Sequence, residues 1–227
     1  IFNILFFKII NKVINFWKAM FHKTINNLDL IKKEIQSKIS KLNYLNYNPK
    51  IIAICKTFPI SDVLPLINHG HVHFGENKVQ ESIAKWTDIK NDFKNIKLHM
   101  VGKLQTNKVK YVLPLFDYIH SLDNIKLAEK ISNEQQKIGK KIKIFIQVNI
   151  GNESQKNGIL EENLFNFYEK CKNDFGLQIE GLMCIPPNDN KSEVYFSKMR
   201  KLSDQINLSE LSMGMSDDYL KACEYKT

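Results

Sequence analysis

Lys56 closes the apolar run IIAICK (51–56), and Ser212, Gly214 and Ser216 recur at every second position of LSMGMS (211–216). These two patterns are where the chain can do chemistry. Lysine is almost never fully buried without a partner. One delivered to the end of a buried strand loses hydration, is more often neutral, and becomes a nucleophile able to condense with an aldehyde. The alternative is a lysine that ends its strand and lays its stem along apolar surface to reach solvent. The serine–glycine stretch also has two readings. Amide N–H groups where a helix begins, joined by serine hydroxyls, suit a phosphate. A serine-capped helix with no ligand uses the same residues.

Other reactive side chains point less clearly. His69, His71 and His73 alternate in HGHVH, and His71 and His73 can share a strand face, but a metal site needs further ligands in fixed geometry. His99 and His120 read as strand-end packing residues. Lys156, in ESQKNG, is either a solvated loop lysine or a second amine near the site. The four cysteines show neither a C-x-x-C pair nor metal spacing, which fits reduced thiols of a cytoplasmic protein.

The elements that must position these residues follow from the pattern after residue 50. Short β-branched runs near 51–56, 72–75, 97–102, 118–121, 142–149, 179–185 and 208–212 read as strands. Helical spacing fills 60–69, 78–90, 105–114, 124–138, 160–173 and 192–206, and a last helix begins near 216. Ser61 or Asp62, Asp123 and Ser216 are the expected caps. Strict alternation predicts a parallel sheet with right-handed crossovers. Seven βα units predict an α/β fold, a (β/α)8 TIM-type barrel lacking its eighth strand; a doubly wound open sheet is the alternative. In such barrels ligands gather at the C-terminal ends of strands, where Lys56, FGEN (74–77), GLMCIPP (181–187) and LSMGMS all fall.

Composition excludes several classes. The chain has 227 residues and a net charge of +9. Residues 1–50 carry +7 of that charge, as nine lysines against Asp29 and Glu34, so the rest is nearly balanced. Arg200 is the sole arginine, which removes the usual tool for bidentate phosphate or base readout and argues against nucleic acid. Residues 1–19 are apolar but broken by Lys8, Lys12 and Lys18, too short a run for a membrane span of ~20 residues. An amphipathic membrane-surface helix is the alternative there. Met20 precedes a regular helical stretch, so residues 1–21 are expected to be a non-structural extension and 22–227 the barrel.

Seven stretches taken together resemble one family, the pyridoxal phosphate homeostasis proteins, also called PLP-binding proteins. They are AICKTFP (53–59), FGENKVQE (74–81), LHMVGKLQTNK (98–108), YIHSLDNIKLAEKI (118–131), IQVNIGNESQKNG (146–158), GLMCIPP and LSMGMSDD (211–218). The resemblance covers about residues 22–225. It implies a barrel related to that of alanine racemase and pyridoxal 5'-phosphate (PLP) held as a Schiff base on Lys56. It implies Ser212, Gly214 and Ser216 at the phosphate, with Asn77 and Met183 near the cofactor ring. It implies no catalytic turnover but a carrier or buffer of PLP, serving apo forms of PLP-dependent enzymes, and a monomer. The alternative is a racemase-like PLP enzyme; racemases add a second β domain, for which the sequence after the barrel leaves no room. Departures from the family are Cys55 where serine is usual, Lys78 for tyrosine and Lys103 for proline or arginine. Alternation aims Cys55 at the helix layer. Family members also continue past position 227 with an arginine-bearing eighth strand, so the expectation is a C-terminally incomplete barrel.

Overall fold

The computed structural model describes residues 23–227; the expected extension and its membrane-surface alternative lie outside the described residues. Helix α1 occupies 23–41 of the described chain. Seven strands follow: β1 (Ala53–Ile54), β2 (His73–Glu76), β3 (Lys97–Met100), β4 (Tyr118–Leu122), β5 (Lys143–Gln147), β6 (Ile179–Met183) and β7 (Glu210–Ser212). Between them lie α2 (Ile60–Asn68), α3 (Val79–Asp92), α4 (Val109–Leu115), α5 (Ile125–Ile138), α6 (Glu161–Glu169) and α7 (Ser192–Gln205), with a short α8 (Tyr219–Ala222) after the last strand.

Every strand pair is parallel and the spatial order is the chain order, β1 to β7. A doubly wound sheet reverses its strand order at a switch point; sequential order is that of a barrel wall. Among the described residues β7 does not pair with β1, so the barrel is open on one side. One hydrophobic cluster runs from Leu28 to Ala222 and includes Phe74, Trp86, Leu98, Ile119, Ile144, Leu182 and Phe196.

Register sorts the two faces of the sheet. Phe74, paired with Leu98 and packed at 5.1 Å ring separation on Trp86 of α3, belongs to the helix side. The opposite parity carries Ile54, Gly75, His99 and Tyr118, then His120, Phe145, Met183 and Ser212. The aliphatic core therefore lies between sheet and helices, while the concave face is rich in imidazole, ring and hydroxyl groups.

Element ends differ from expectation where turns compete. β1 is two residues rather than six, because it has one strand partner and the chain turns at Lys56. Helix α5 starts from Asn124, not Asp123: the Asn124 side-chain Oδ1 accepts from the Leu127 N–H at 2.9 Å. It ends at Gly139, whose φ of +65° is cheap only without a side chain. Helix α2 opens at Pro59 with no side-chain cap, and Asp62 sits in its first turn. Ser216 caps nothing; α8 begins three residues later, after Asp218.

Candidate functional site

The strand register brings the sequence-derived candidates to one end of the sheet. Lys56 lies two residues past β1, and Asn77 one residue past β2. Met183 is the last residue of β6 and pairs with Ser212, the last of β7. Gly214 and Ser216 follow two and four residues later.

Lys56 sits in a tight turn. The Phe58 N–H donates to the Cys55 carbonyl at 3.2 Å, and Thr57 between them has φ +71°. A positive φ at the third residue is the type II pattern and favours glycine; a β-branched residue there is strained. The turn leaves Lys56 exposed, the solvent-reaching alternative of the two readings of its position. Cys55 does face the helix layer, 3% exposed, and burial pushes its thiol up to about 12.

An anchor behind this turn was not read from the sequence. The Lys85 amine donates to the Cys55 carbonyl at 2.8 Å and to Glu76 Oε1 at 2.7 Å, and the Trp86 indole N–H donates to the same carboxylate oxygen at 2.9 Å. Glu76 is 1% exposed. A glutamate on the helix side of β2 thus ties α3 to the end of β1 and fixes where Lys56 starts. Helical spacing put Lys85 on α3, but only the fold shows which carbonyl it reaches.

Close backbone approach shapes the rim. A Cβ on Gly102 would stand 2.2 Å from the Asn77 carbonyl oxygen, so only glycine lets this loop press against Asn77. In the 212–216 loop Gly214 has φ +89°, and a Cβ there would meet the Ala222 Cβ at 2.7 Å. The Met215 N–H is taken by the Asp218 carboxylate at 2.7 Å and the Met213 N–H by the Thr227 hydroxyl at 3.2 Å. Among the described residues the Gly214 and Ser216 amides have no acceptor. Two free N–H groups remain beside the Ser212 hydroxyl, which also lies 2.8 Å from His120 Nδ1, and together they fit a phosphate.

The second rim lysine is engaged. Lys156 pairs with Glu153 at 2.6 Å and donates to the Pro186 carbonyl at 3.2 Å. Arg200, on α7, donates to the Leu208 and Ser209 carbonyls just before β7, at the opposite end of the sheet from Lys56.

The histidines do something the sequence did not show. His73 Nδ1 and His99 Nε2 are 3.0 Å apart, His99 Nδ1 and His120 Nε2 are 2.9 Å apart, and His120 Nδ1 lies 2.8 Å from Ser212 Oγ. His99 and His120 are buried, and burial drives them down to about 2 and about 3, so both are neutral. His71 stays outside this chain, its Nε2–H donating to the His73 carbonyl at 2.9 Å. Among the described residues no group of His, Cys, Asp and Glu can hold a metal, and no helix is long and apolar enough to cross a membrane.

Known proteins match this architecture. The family model for the alanine racemase N-terminal domain matches residues 28–226. Pyridoxal phosphate homeostasis proteins of Haemophilus influenzae and Aquifex aeolicus are 36% and 37% identical. The first match spans 85% of this chain and 86% of the relative, the second 77% and 80%. PipY of Synechococcus elongatus, solved with PLP bound, superposes with a TM-score of 0.70 at 31% identity over 84% of this chain and 93% of that one. Alanine racemase of Clostridium difficile shares the fold, with a TM-score of 0.60 at 14% identity, over 82% of this chain and 51% of the racemase.

Proposed function

The chain belongs to the pyridoxal phosphate homeostasis protein family, and on that premise we propose that its barrel holds PLP on Lys56 as a carrier without turnover of its own. The observation that carries this reading is the convergence of an accessible amine and a phosphate-type donor set at one end of the sheet. Lys56 supplies the amine at the end of β1. Ser212 and the free amides of Gly214 and Ser216 supply donors at the end of β7. PLP, when bound, brings an aldehyde that condenses with an amine and a phosphate that seeks N–H and O–H donors. The Glu76–Lys85–Trp86 anchor positions the Lys56 turn, and Met183 and Asn77 border the space between the two ends.

An exposed Lys56 suits delivery. A cofactor attached to a solvent-facing amine can leave to water or to another protein, and the recipients in this reading are apo forms of PLP-dependent enzymes. The chain acts as a monomer in the cytoplasm. Racemisation needs acid–base groups on both faces of the substrate Cα. Lys56 offers one such group; the imidazoles of the concave face are neutral and committed to one another. Incubating the PLP-loaded protein with L-alanine in deuterated water tests this. The expected result is Cα exchange no faster than with free PLP; exchange at enzyme-like rates, or D-alanine, overturns the carrier reading.

A further inference from the structure

The three linked imidazoles cross the barrel interior from end to end. His73 is the first residue of β2, at the N-terminal end of the sheet, and Ser212 is the last residue of β7, at the C-terminal end. His99 and His120 connect them, His99 stacked on Tyr118 at 4.2 Å and His120 on Phe145 at 4.5 Å. The stacked rings leave neither imidazole free to turn.

Neutral imidazole has one N–H and one bare nitrogen. A chain of such rings can therefore run in only two senses. In one, the Ser212 hydroxyl donates to His120 Nδ1, each ring donates onward from Nε2, and the last N–H is on His73 Nε2. In the other, His73 Nδ1–H donates to His99, His99 Nδ1–H to His120, and His120 Nδ1–H to Ser212 Oγ. Only the second sense leaves the Ser212 proton free for an anion. We infer that His73, His99 and His120 form a relay whose tautomeric sense decides whether Ser212 can donate to a bound phosphate. The inference rests on the reading of Ser212 as a phosphate contact.

The balance is simple. Starting from the first sense, a phosphate monoanion gives its proton to Ser212 Oγ as the Ser212 proton moves to His120 Nδ1. His120 Nε2–H passes to His99 Nδ1, His99 Nε2–H to His73 Nδ1, and His73 Nε2–H leaves to water. One proton enters and one leaves; every ring stays neutral and the phosphate is held as a dianion. The exit is suited to it: His73 is only partly buried, with Lys50, Lys97 and Asp117 around it. Lys50 and Lys90 near His99 disfavour any charged intermediate ring, as does burial. His73, His99 and His120 are positioning residues; of these four side chains only that of Ser212 touches the anion, beside the Gly214 and Ser216 amides.

The test is nitrogen NMR of the full chain labelled with 15N-histidine, titrated with inorganic phosphate and separately with PLP. Imidazole nitrogen shifts report which nitrogen holds the proton, a signature that a merely structural role would not move. At saturation the expected result is His99 and His120 both protonated at Nδ1, and no phosphate-induced change in Ser212→Ala. Either ring protonated at Nε2 or at both nitrogens in the phosphate-saturated protein overturns the relay. His99→Phe, which keeps the stacking and cuts the relay, should lower the preference for PLP over pyridoxal by about tenfold, the size of one hydrogen bond to a charged group. An unchanged preference in a folded His99→Phe also overturns it. Borohydride trapping of Lys56 reads the carrier function separately. Tautomers that switch with phosphate in a protein that never traps PLP uphold the relay and strike the carrier reading. Trapping with unswitched tautomers does the reverse.

Discussion

Lys56 was legible as a reactive candidate from its position at the end of an apolar run, and the reason for its exposure was not. Burial of a short edge strand depends on what the next residues do, and Thr57 turns the chain at once. The histidines show the converse. HGHVH and the isolated His99 and His120 carry no shared motif, because their contacts join residues up to 92 positions apart. Their neutrality has a measurable consequence. Unfolded histidine takes up a proton near 6.5, whereas folded His99 and His120 resist it until about 2 and about 3. A depressed folded value means stability is complete above the unfolded value and lost as pH falls. Each buried imidazole then costs about 1.4 kcal/mol per pH unit below 6.5. Denaturant titrations between pH 6.5 and 5, above the usual carboxylate range, should show falling stability. His120→Phe should flatten that slope, and an unchanged slope would contradict the burial of a neutral ring.

Elements were read well where patterns were long and poorly where ends were decided by competition. The α5 period was clear, yet its cap moved one residue because the Asn124 amide oxygen reaches Leu127. Ser216 looked like a cap, but the Asp218 carboxylate takes the Met215 amide and delays α8. The Glu76–Lys85–Trp86 anchor belongs to this scale, since it joins β1, β2 and α3. Replacing Glu76 by leucine takes the counter-charge from the partly buried Lys85 amine, which keeps only the Cys55 carbonyl, and strands the Trp86 indole N–H. Loss of one partner from a buried ion pair costs about 3–5 kcal/mol. Glu76→Gln keeps an acceptor for Trp86 and should cost clearly less. Thermal melts of the two variants decide the matter; equal losses would mean that volume, not hydrogen bonding, holds the β1 turn.

At the scale of the molecule, alternation of strand and helix foretold the sequential parallel sheet, and it could not foretell how the open side is treated. There, among the described residues, the outer edge of β7 meets no strand; the Thr227 hydroxyl bonds the Leu211 and Met213 carbonyls, the Tyr47 hydroxyl donates to the Thr227 carbonyl at 2.7 Å, and Lys50 pairs with Glu210 at 3.2 Å. Such contacts cover edge groups that would otherwise invite pairing. The parallel sheet sets Lys56 and Ser212, 156 positions apart in the chain, at the same end of β1 and β7, and the proposal that both serve one PLP rests on that placement. That proposal is tested most directly by adding less than one equivalent of PLP, reducing with borohydride and mapping the labelled peptides, with pyridoxal as the control. PLP is expected to label Lys56 above every other lysine, and pyridoxal, lacking the phosphate, to lose this selectivity. Label on Lys156, or label from PLP spread evenly over the exposed lysines, would contradict it.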